Sequence, residues 1–338
     1  MNATKFLSEG IYIKLPFGSN VKVFLSINSK EGSKLSFKLF NPFSKKARLF
    51  KFILRIFCVH LNFLSKIVFP TLKVKKSDFI CFLNTKLALE ITSSLYIATA
   101  KDKYVLQLQN NNEIFGYLKF PTTNDGKKRL LNEQFAISIL SKIGLVPDLI
   151  LYDTYKQNPF IILKNLNGSI GDIKKDEYEL ILNSFKKNNK YKLINHPRII
   201  ELKNKILGSS SLHHLTNELE SLSLSSSKEY FEVYEHGDFA PWNLIRTSNG
   251  IIPFDLEYFN EVGLEYMDEI KYHFQIERLI NGKRDLDLIS TIDSKVLIDD
   301  FHILFKIFLV KEILLKKENV ESFNFEESLL KKTRIIYA

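Results

Sequence analysis

The chain has 338 residues, enough for two domains with a substantial buried core, and a composition ordinary for a soluble protein. Its two cysteines, Cys58 and Cys81, make no C-x-x-C and no metal-ligand spacing, which argues against a disulfide framework or a zinc site. The net charge of +10 is concentrated: residues 1–90 hold 16 Lys and Arg against 4 Asp and Glu, while the remaining residues hold 32 against 34.

Read in order, MNATKFLSEG carries no apolar run after its charge, so no signal peptide is expected. Residues 11–40 read as a small meander of short strands. Val21, Val23, Leu25 and Ile27 alternate with polar or outward positions, and Leu35, Phe37 and Leu39 repeat the pattern after NSKEGS. Ser44 is then placed to cap a helix over KKARLFKFILRIFCVHLNFLSKI, with Lys45, Arg48, Lys51 and Arg55 on one stripe. Two readings of that stripe stand: a solvated face on a helix packed against the next domain, or a peripheral contact of residues 44–66 with an anionic membrane. Lys51, Arg55, His60 and Lys66 interrupt residues 50–69, so no spanning helix is expected and the protein reads as cytoplasmic.

SLYIAT, KYVLQLQ and EIFGYLKF read as three strands, ending at Lys119 and Phe120. A polar loop, PTTNDGKK, leads to a helix over about 129–143 that carries Glu133 early. DLILYD and PFIILK add two further strands, and KNLNG, residues 164–168, reads as a turn or hinge. Helical patterns follow over about 175–187, 196–206 and 212–222. His213 and His214 lack carboxylate or Cys partners at ligand spacing, so they read as surface residues. Residues 230–234 form a strand, and the end of the chain is dominated by helices, one strongly apolar near 300–315.

Between these last elements lies the chemistry. HGDFAPWN, residues 236–243, sets a carboxylate, Asp238, five residues before an amide, Asn243. LIRTSNGIIPF then turns back on Ser248-Asn249-Gly250 and delivers Asp255 in FDLE, twelve residues beyond Asn243. Phosphoryl transfer uses such a set: one carboxylate to orient the attacking hydroxyl, and an amide with a second carboxylate to hold Mg²⁺. Oxygen donors of this kind suit a hard cation, with ATP phosphates and water filling its remaining positions.

H-x-D-x-x-x-x-N followed by Asp matches the catalytic and metal-binding stretches of the protein-kinase signature. With HGD in place of HRD, and no Gly after Asp255, the variant resembles the aminoglycoside phosphotransferase and choline kinase-like family. The resemblance runs from Leu95 to about Phe274 and leaves 1–90 unaccounted for. It implies an α+β, bilobal protein-kinase-like fold, with a β-rich small lobe over 91–166 and a helical large lobe over 167–338, to which the pattern of residues 1–90 adds an extra basic region of strands and helix. It implies an ATP-dependent kinase of small molecules, with Asp238 as base and Asn243 and Asp255 on Mg²⁺. By the same resemblance His236 would brace the loop, Lys119 would meet the nucleotide phosphates and be held by Glu133, and the backbone at Lys164 and Leu166 would meet the adenine ring. The resemblance also implies that Asp268, thirteen residues after Asp255, is the acid that stabilises the loop. The turn AKDK has no glycine, a departure from the protein-kinase phosphate loop.

Glu257, Glu261, Glu265 and Glu269 would suit a cationic acceptor such as an amino alcohol or aminoglycoside, or they form a solvated face; a sugar or lipid-linked glycan fits as well. An inactive kinase-like scaffold is the alternative to an enzyme. No nucleic-acid recognition motif accompanies the basic N-terminus, so no nucleic-acid partner is expected.

Overall fold

The computed structural model describes residues 3–40, 45–75, 77–98, 102–110, 112–171 and 173–336. Ser44, the expected cap, and parts of the AKDK and NNNE turns fall outside them. The chain divides into two compact units, 1–137 with 147–166, and 138–146 with 167–338. The architecture is α+β: a unit built on an antiparallel sheet and a unit dominated by helices.

The first unit contains β1 (Gly10–Leu15), β2 (Val23–Ser26), α1 (Lys30–Ser36), α2 (Lys45–His60), α3 (Asn62–Val68), β3 (Thr71–Val74) and α4 (Asp78–Leu87). It continues with β4 (Thr92–Ala98), β5 (Lys103–Asn110), β6 (Glu113–Pro121), α5 (Asn124–Leu140), β7 (Leu149–Tyr155) and β8 (Asn158–Lys164). The eight strands form one sheet in the order β3-β1-β2-β4-β5-β6-β8-β7, antiparallel throughout. Residues 1–90 are therefore not set apart at position 90: Val23 pairs with Tyr96 and Phe24 with Leu95, which makes β1, β2 and β3 an extension of the same sheet. One face of the sheet buries Phe6, Phe79, Phe120 and Phe160, and Phe6 meets Phe79 and Phe120 at ring-centroid distances of 4.8 and 4.7 Å. The opposite face of β1 and β2 is covered by Phe37, Leu54 and Cys58.

The expected meander is one strand short. Residues 30–36 are helical, because the serines that make the pattern look alternating are satisfied within a helix. Ser29 caps the Gly32 N–H at 3.0 Å, and the Ser33 and Ser36 hydroxyls donate to the carbonyls of Ser29 and Gly32 at 2.6 and 2.8 Å. Ser33, Ser36 and Phe37 then share one buried face. The long basic helix is two helices, since Asn62 begins a new turn and its side chain donates to the Cys58 and Ile27 carbonyls. Helix α5 starts earlier than expected, so the loop PTTNDGKK is largely its first turns.

The second unit contains β9 (Ser169–Ile170), α6 (Lys175–Ser184), β10 (Lys186–Lys192), α7 (Pro197–Leu207), α8 (His214–Ser225), β11 (Glu229–Glu235), β12 (Leu244–Thr247), β13 (Gly250–Pro253) and β14 (Asn260–Leu264). Then come α9 (Met267–Gln275), α10 (Asp285–Val296), α11 (Phe301–Glu318) and α12 (Asn324–Ile336). Strand β10, with the sequence KKNNKYK, occupies residues expected to be helix end and loop. It pairs with β11, where Lys190 lies over the Phe231 ring at 4.2 Å and Lys187 reaches Glu232 at 2.7 Å. The core of this unit is α11, on which Phe301, Phe305 and Phe308 are fully buried.

Charge is buried in that core as well. Glu235, the last residue of β11, takes Lys311 of α11 at 2.7 Å and Arg198 of α7 at 3.5 Å. Burial pushes the Glu235 carboxyl upward, but the two cations outweigh it and hold the group below the ordinary carboxylate range. Removing one member of a buried ion set leaves the others uncompensated, so Glu235→Gln is expected to cost about 3–5 kcal/mol at pH 7. Because the folded-state pKa is the lower one, this contribution is complete above the unfolded value and fades as pH falls below about 4.5. Urea unfolding of both proteins between pH 7 and pH 3 checks this: the gap between them narrows on acidification.

Candidate active site

Strand β11 delivers the chain into the loop that begins at His236. The turn there is held by one carboxylate: Asp268, in the first turn of α9, accepts the His236 N–H at 2.6 Å and the Gly237 N–H at 3.0 Å. Burial, with the negative Glu235 behind it, raises Asp268 to about 6. Gly237 takes φ +79°, and a Cβ there would lie 2.2 Å from the Tyr258 carbonyl oxygen, so the turn admits only glycine. His236 is fully buried. Its Nε2 donates to the Phe254 carbonyl at 3.0 Å, and its Nδ1 accepts the Asp238 N–H at 3.3 Å. The ring thus ties the HGD turn to the chain just before Asp255.

Asp238 is partly exposed and its carboxylate is fixed from two sides. Asn243 Nδ2 donates to Asp238 Oδ2 at 3.0 Å and to its carbonyl at 2.8 Å, while Gln275 Nε2 approaches Oδ1 at 3.4 Å. Asn243 is itself buried, in the turn Pro241–Asn243. Hairpin β12–β13 then returns with Leu244 opposite Pro253, and the Phe254 N–H donates to the Asn243 carbonyl at 3.0 Å. That pairing sets Asn243 and Asp255 at the same open end of the hairpin, Asp255 with φ +64°. The Asn243 amide nitrogen is engaged by Asp238, which turns its amide oxygen the other way. Asn243 and Asp255 together offer hard oxygen ligands of the kind a divalent cation takes. Among the described residues no group of three or more His, Cys, Asp or Glu could hold a metal by itself.

The other expected site residues lie in the first unit. Lys119, on β6, reaches Glu133 Oε1 of α5 at 2.5 Å, and both side chains are buried. The Lys164 side chain is exposed and meets Asp148 at 3.1 Å, so any role at a ligand falls to its backbone. The Asn165 N–H donates to the Phe115 carbonyl at 3.0 Å, and the two compact units divide just after the half-buried Leu166.

Of the glutamates expected as an acidic neighbourhood, Glu265 and Glu269 line one cavity, while Glu257 and Glu261 lie outside it. Glu257 is buried, Glu261 is exposed, and Glu265 is occupied by Lys186 at 2.9 Å and by the Phe231 N–H at 3.1 Å. Glu269 lines a cavity of about 290 Å³ with Glu179, Tyr234 and Tyr266, where burial raises it to about 7. Gln275 has no motif to announce it; only the return of α9 brings it to Asp238. Asp268 was legible as an acid at a suitable distance, and its hydrogen bonds follow from the fold.

No family model matches the sequence, and no curated protein matches it either. Among solved structures, the chain is similar to a protein assigned as a fructosamine-3-kinase from Haemophilus somnus 129PT, at 11% identity over 77% of this chain and 96% of that one, with a TM-score of 0.46. It is also similar to the amicoumacin kinase hAmiN, at 15% identity over 76% and 92%, TM-score 0.40. A third is an aminoglycoside phosphotransferase from Streptomyces rimosus ATCC10970, at 13% identity over 70% and 98%, TM-score 0.42.

The turn at Gly237 can be tested alone. Gly237→Ala forces a Cβ into a carbonyl and an L-residue into a left-handed conformation, so it should lower the unfolding free energy by about 1–3 kcal/mol or more. Equilibrium urea unfolding measures it.

Proposed function

We propose that the protein is an ATP-dependent phosphotransferase that moves the γ-phosphate to a hydroxyl of a small molecule or glycan. The observation that carries this reading is the fixed Asp238 carboxylate: Asn243 holds it at 3.0 Å, and Asp268 fixes the backbone immediately before it. A carboxylate so held accepts the hydrogen bond of an incoming hydroxyl and aims its oxygen along one line, which is most of what this reaction asks of a protein. His236 keeps the loop in that shape from behind and touches no reacting atom.

Asn243 and Asp255 would hold Mg²⁺, which when bound neutralises charge on the nucleotide phosphates. With only these two protein ligands, the nucleotide and water complete its shell. Lys119, oriented by Glu133, is the cation this reading assigns to the phosphates, and the backbone of Lys164 and Leu166 offers the donor and acceptor that an adenine edge requires. Cytoplasmic placement belongs to the same reading, since ATP is the donor. The acceptor is a compound with a free hydroxyl.

ATP should stabilise the protein against heat only in the presence of Mg²⁺ or Mn²⁺, by about 2.7 kcal/mol at a hundred times the dissociation constant. Asp255→Ala should lose that metal-dependent shift. ADP production screened against sugars, amino alcohols and aminoglycosides identifies the acceptor. With it, Asp238→Asn should cut turnover by roughly 10²–10⁴-fold while leaving ATP binding nearly unchanged. Near wild-type turnover by Asp238→Asn would remove the assigned base, and metal-dependent ATP binding with no turnover of any acceptor would favour the scaffold.

A further inference from the structure

One of the two readings of helix α2 turns its apolar side to the sheet and its charges to water. It does bury Leu54 and Cys58 against β1 and β2. Its opposite side, however, is also apolar: Leu49, Phe52, Ile53 and Ile56 recur at helical spacing on the outward face, Leu49 and Phe52 about three-fifths exposed (61% and 60%). Helix α3 continues this, with Phe63 at 75% and Ile67 at 66% exposure. Phe17 joins the edge of the patch by packing on Phe50 and Phe69, each at 5.8 Å between ring centroids. An outward helix face of a protein surrounded by water is normally polar, and large exposed apolar patches mark surfaces that meet something.

The charges beside the patch say what it meets. Lys46, Arg48 and Arg55 are exposed and flank the apolar stripe. Between Gly32 and Ser77 the chain holds eleven Lys or Arg and no Asp or Glu. A second copy of this chain laid on the patch would bring like charges together, which disfavours self-association. An outward apolar stripe flanked by cations is the composition of a helix that lies in a membrane interface, its side chains among the acyl chains and its cations among anionic headgroups. No helix among the described residues is long and apolar enough to cross a membrane, so the contact is peripheral.

We propose that helices α2 and α3 form a docking surface for an anionic phospholipid bilayer, with Leu49, Phe52, Ile56, Phe63 and Ile67 entering the interface and Lys46, Arg48 and Arg55 meeting the headgroups. The proposal is independent of the phosphotransferase reading and stands or falls without it.

Cosedimentation of the full chain with vesicles tests it, comparing phosphatidylcholine alone with phosphatidylcholine containing phosphatidylglycerol, at low and high salt. Binding should require the anionic lipid and weaken in salt. The double variant Lys46→Glu, Arg55→Glu should lower the partition coefficient by roughly thirtyfold or more, each cation contributing about a factor of five. Phe52→Ser with Phe63→Ser should lower it comparably; both positions are exposed, and unchanged thermal melting shows that the fold is retained. Equal binding to neutral vesicles, or anionic binding unaltered in both variants, overturns the proposal. So does a chain that ignores vesicles at low salt: loss of self-association in the Phe variant, measured by analytical ultracentrifugation, would then give the patch to a second copy, and a monomer would give it to an acidic protein partner. The wild-type lipid and salt comparisons decide the matter even if a variant fails to fold.

Discussion

One carboxylate accepting two consecutive backbone N–H groups shapes the loop that carries the candidate site. Asp268 takes the N–H groups of His236 and Gly237, and it does so from a buried position where an uncompensated charge would be expensive. The hydrogen bonds and the Lys311 cation offset part of that cost, and the Asp268 carboxyl still lies above the ordinary carboxylate range. Everything downstream depends on the turn they fix: the His236 ring reaches the Phe254 carbonyl, Asp238 is presented with Asn243 against it, and the returning hairpin brings Asp255 to the same end. A loop without this anchor would carry the same residues with no fixed geometry among them.

The anchor in turn rests on a core that holds ions as well as hydrocarbon. Glu235, next to the loop, is clamped by Lys311 and Arg198, and Lys271, on the helix of Asp268, reaches Glu312 at 2.6 Å. Such pairs add little net stability compared with apolar packing, but breaking one leaves a stranded charge. They tie β11, α7, α9 and α11 into one arrangement. The strongly apolar α11 therefore has a second role that its hydropathy conceals, since Lys311 and Glu312 are placed among its phenylalanines as partners for the loop's supports.

In the sheet-containing unit the governing constraint is the need to cover both faces. The central strands bury one face under phenylalanines from α4 and the N-terminal segment, and β2 is buried along its whole length because α1 and α2 cover the other side. Helix α2 thus has one apolar side consumed by packing and another, apolar as well, that stands exposed among the described residues. That asymmetry separates it from an ordinary surface helix and gives the N-terminal charge a physical context.

How far the sequence reached follows from which signals are local. HGDFAPWN and FDLE named Asp238, Asn243 and Asp255 because a loop that presents several functional groups must carry them at short, fixed spacings. The strands of 92–121 and 149–164 were legible because alternation and turn residues act within a few positions. Other features depended on partners far away along the chain. Ser33 read as the end of a turn and Ser36 as a polar strand position until a helix returned their hydroxyls to its own carbonyls. KKNNKYK has no alternation and became β10 only through pairing with β11. The join of residues 1–90 to the main sheet depends on the meeting of β2 with β4, about seventy residues apart. Gln275 comes to Asp238 through the path of α9, and the outward turn of Leu49, Phe52 and Ile56 was set by which side of α2 the sheet claimed. Sequence alone determined the kinds of chemical group and their local spacing, since those are covalent and short-range. Tertiary structure decided which groups were buried, paired or left facing outward, because each of those outcomes depends on the surface that arrives opposite.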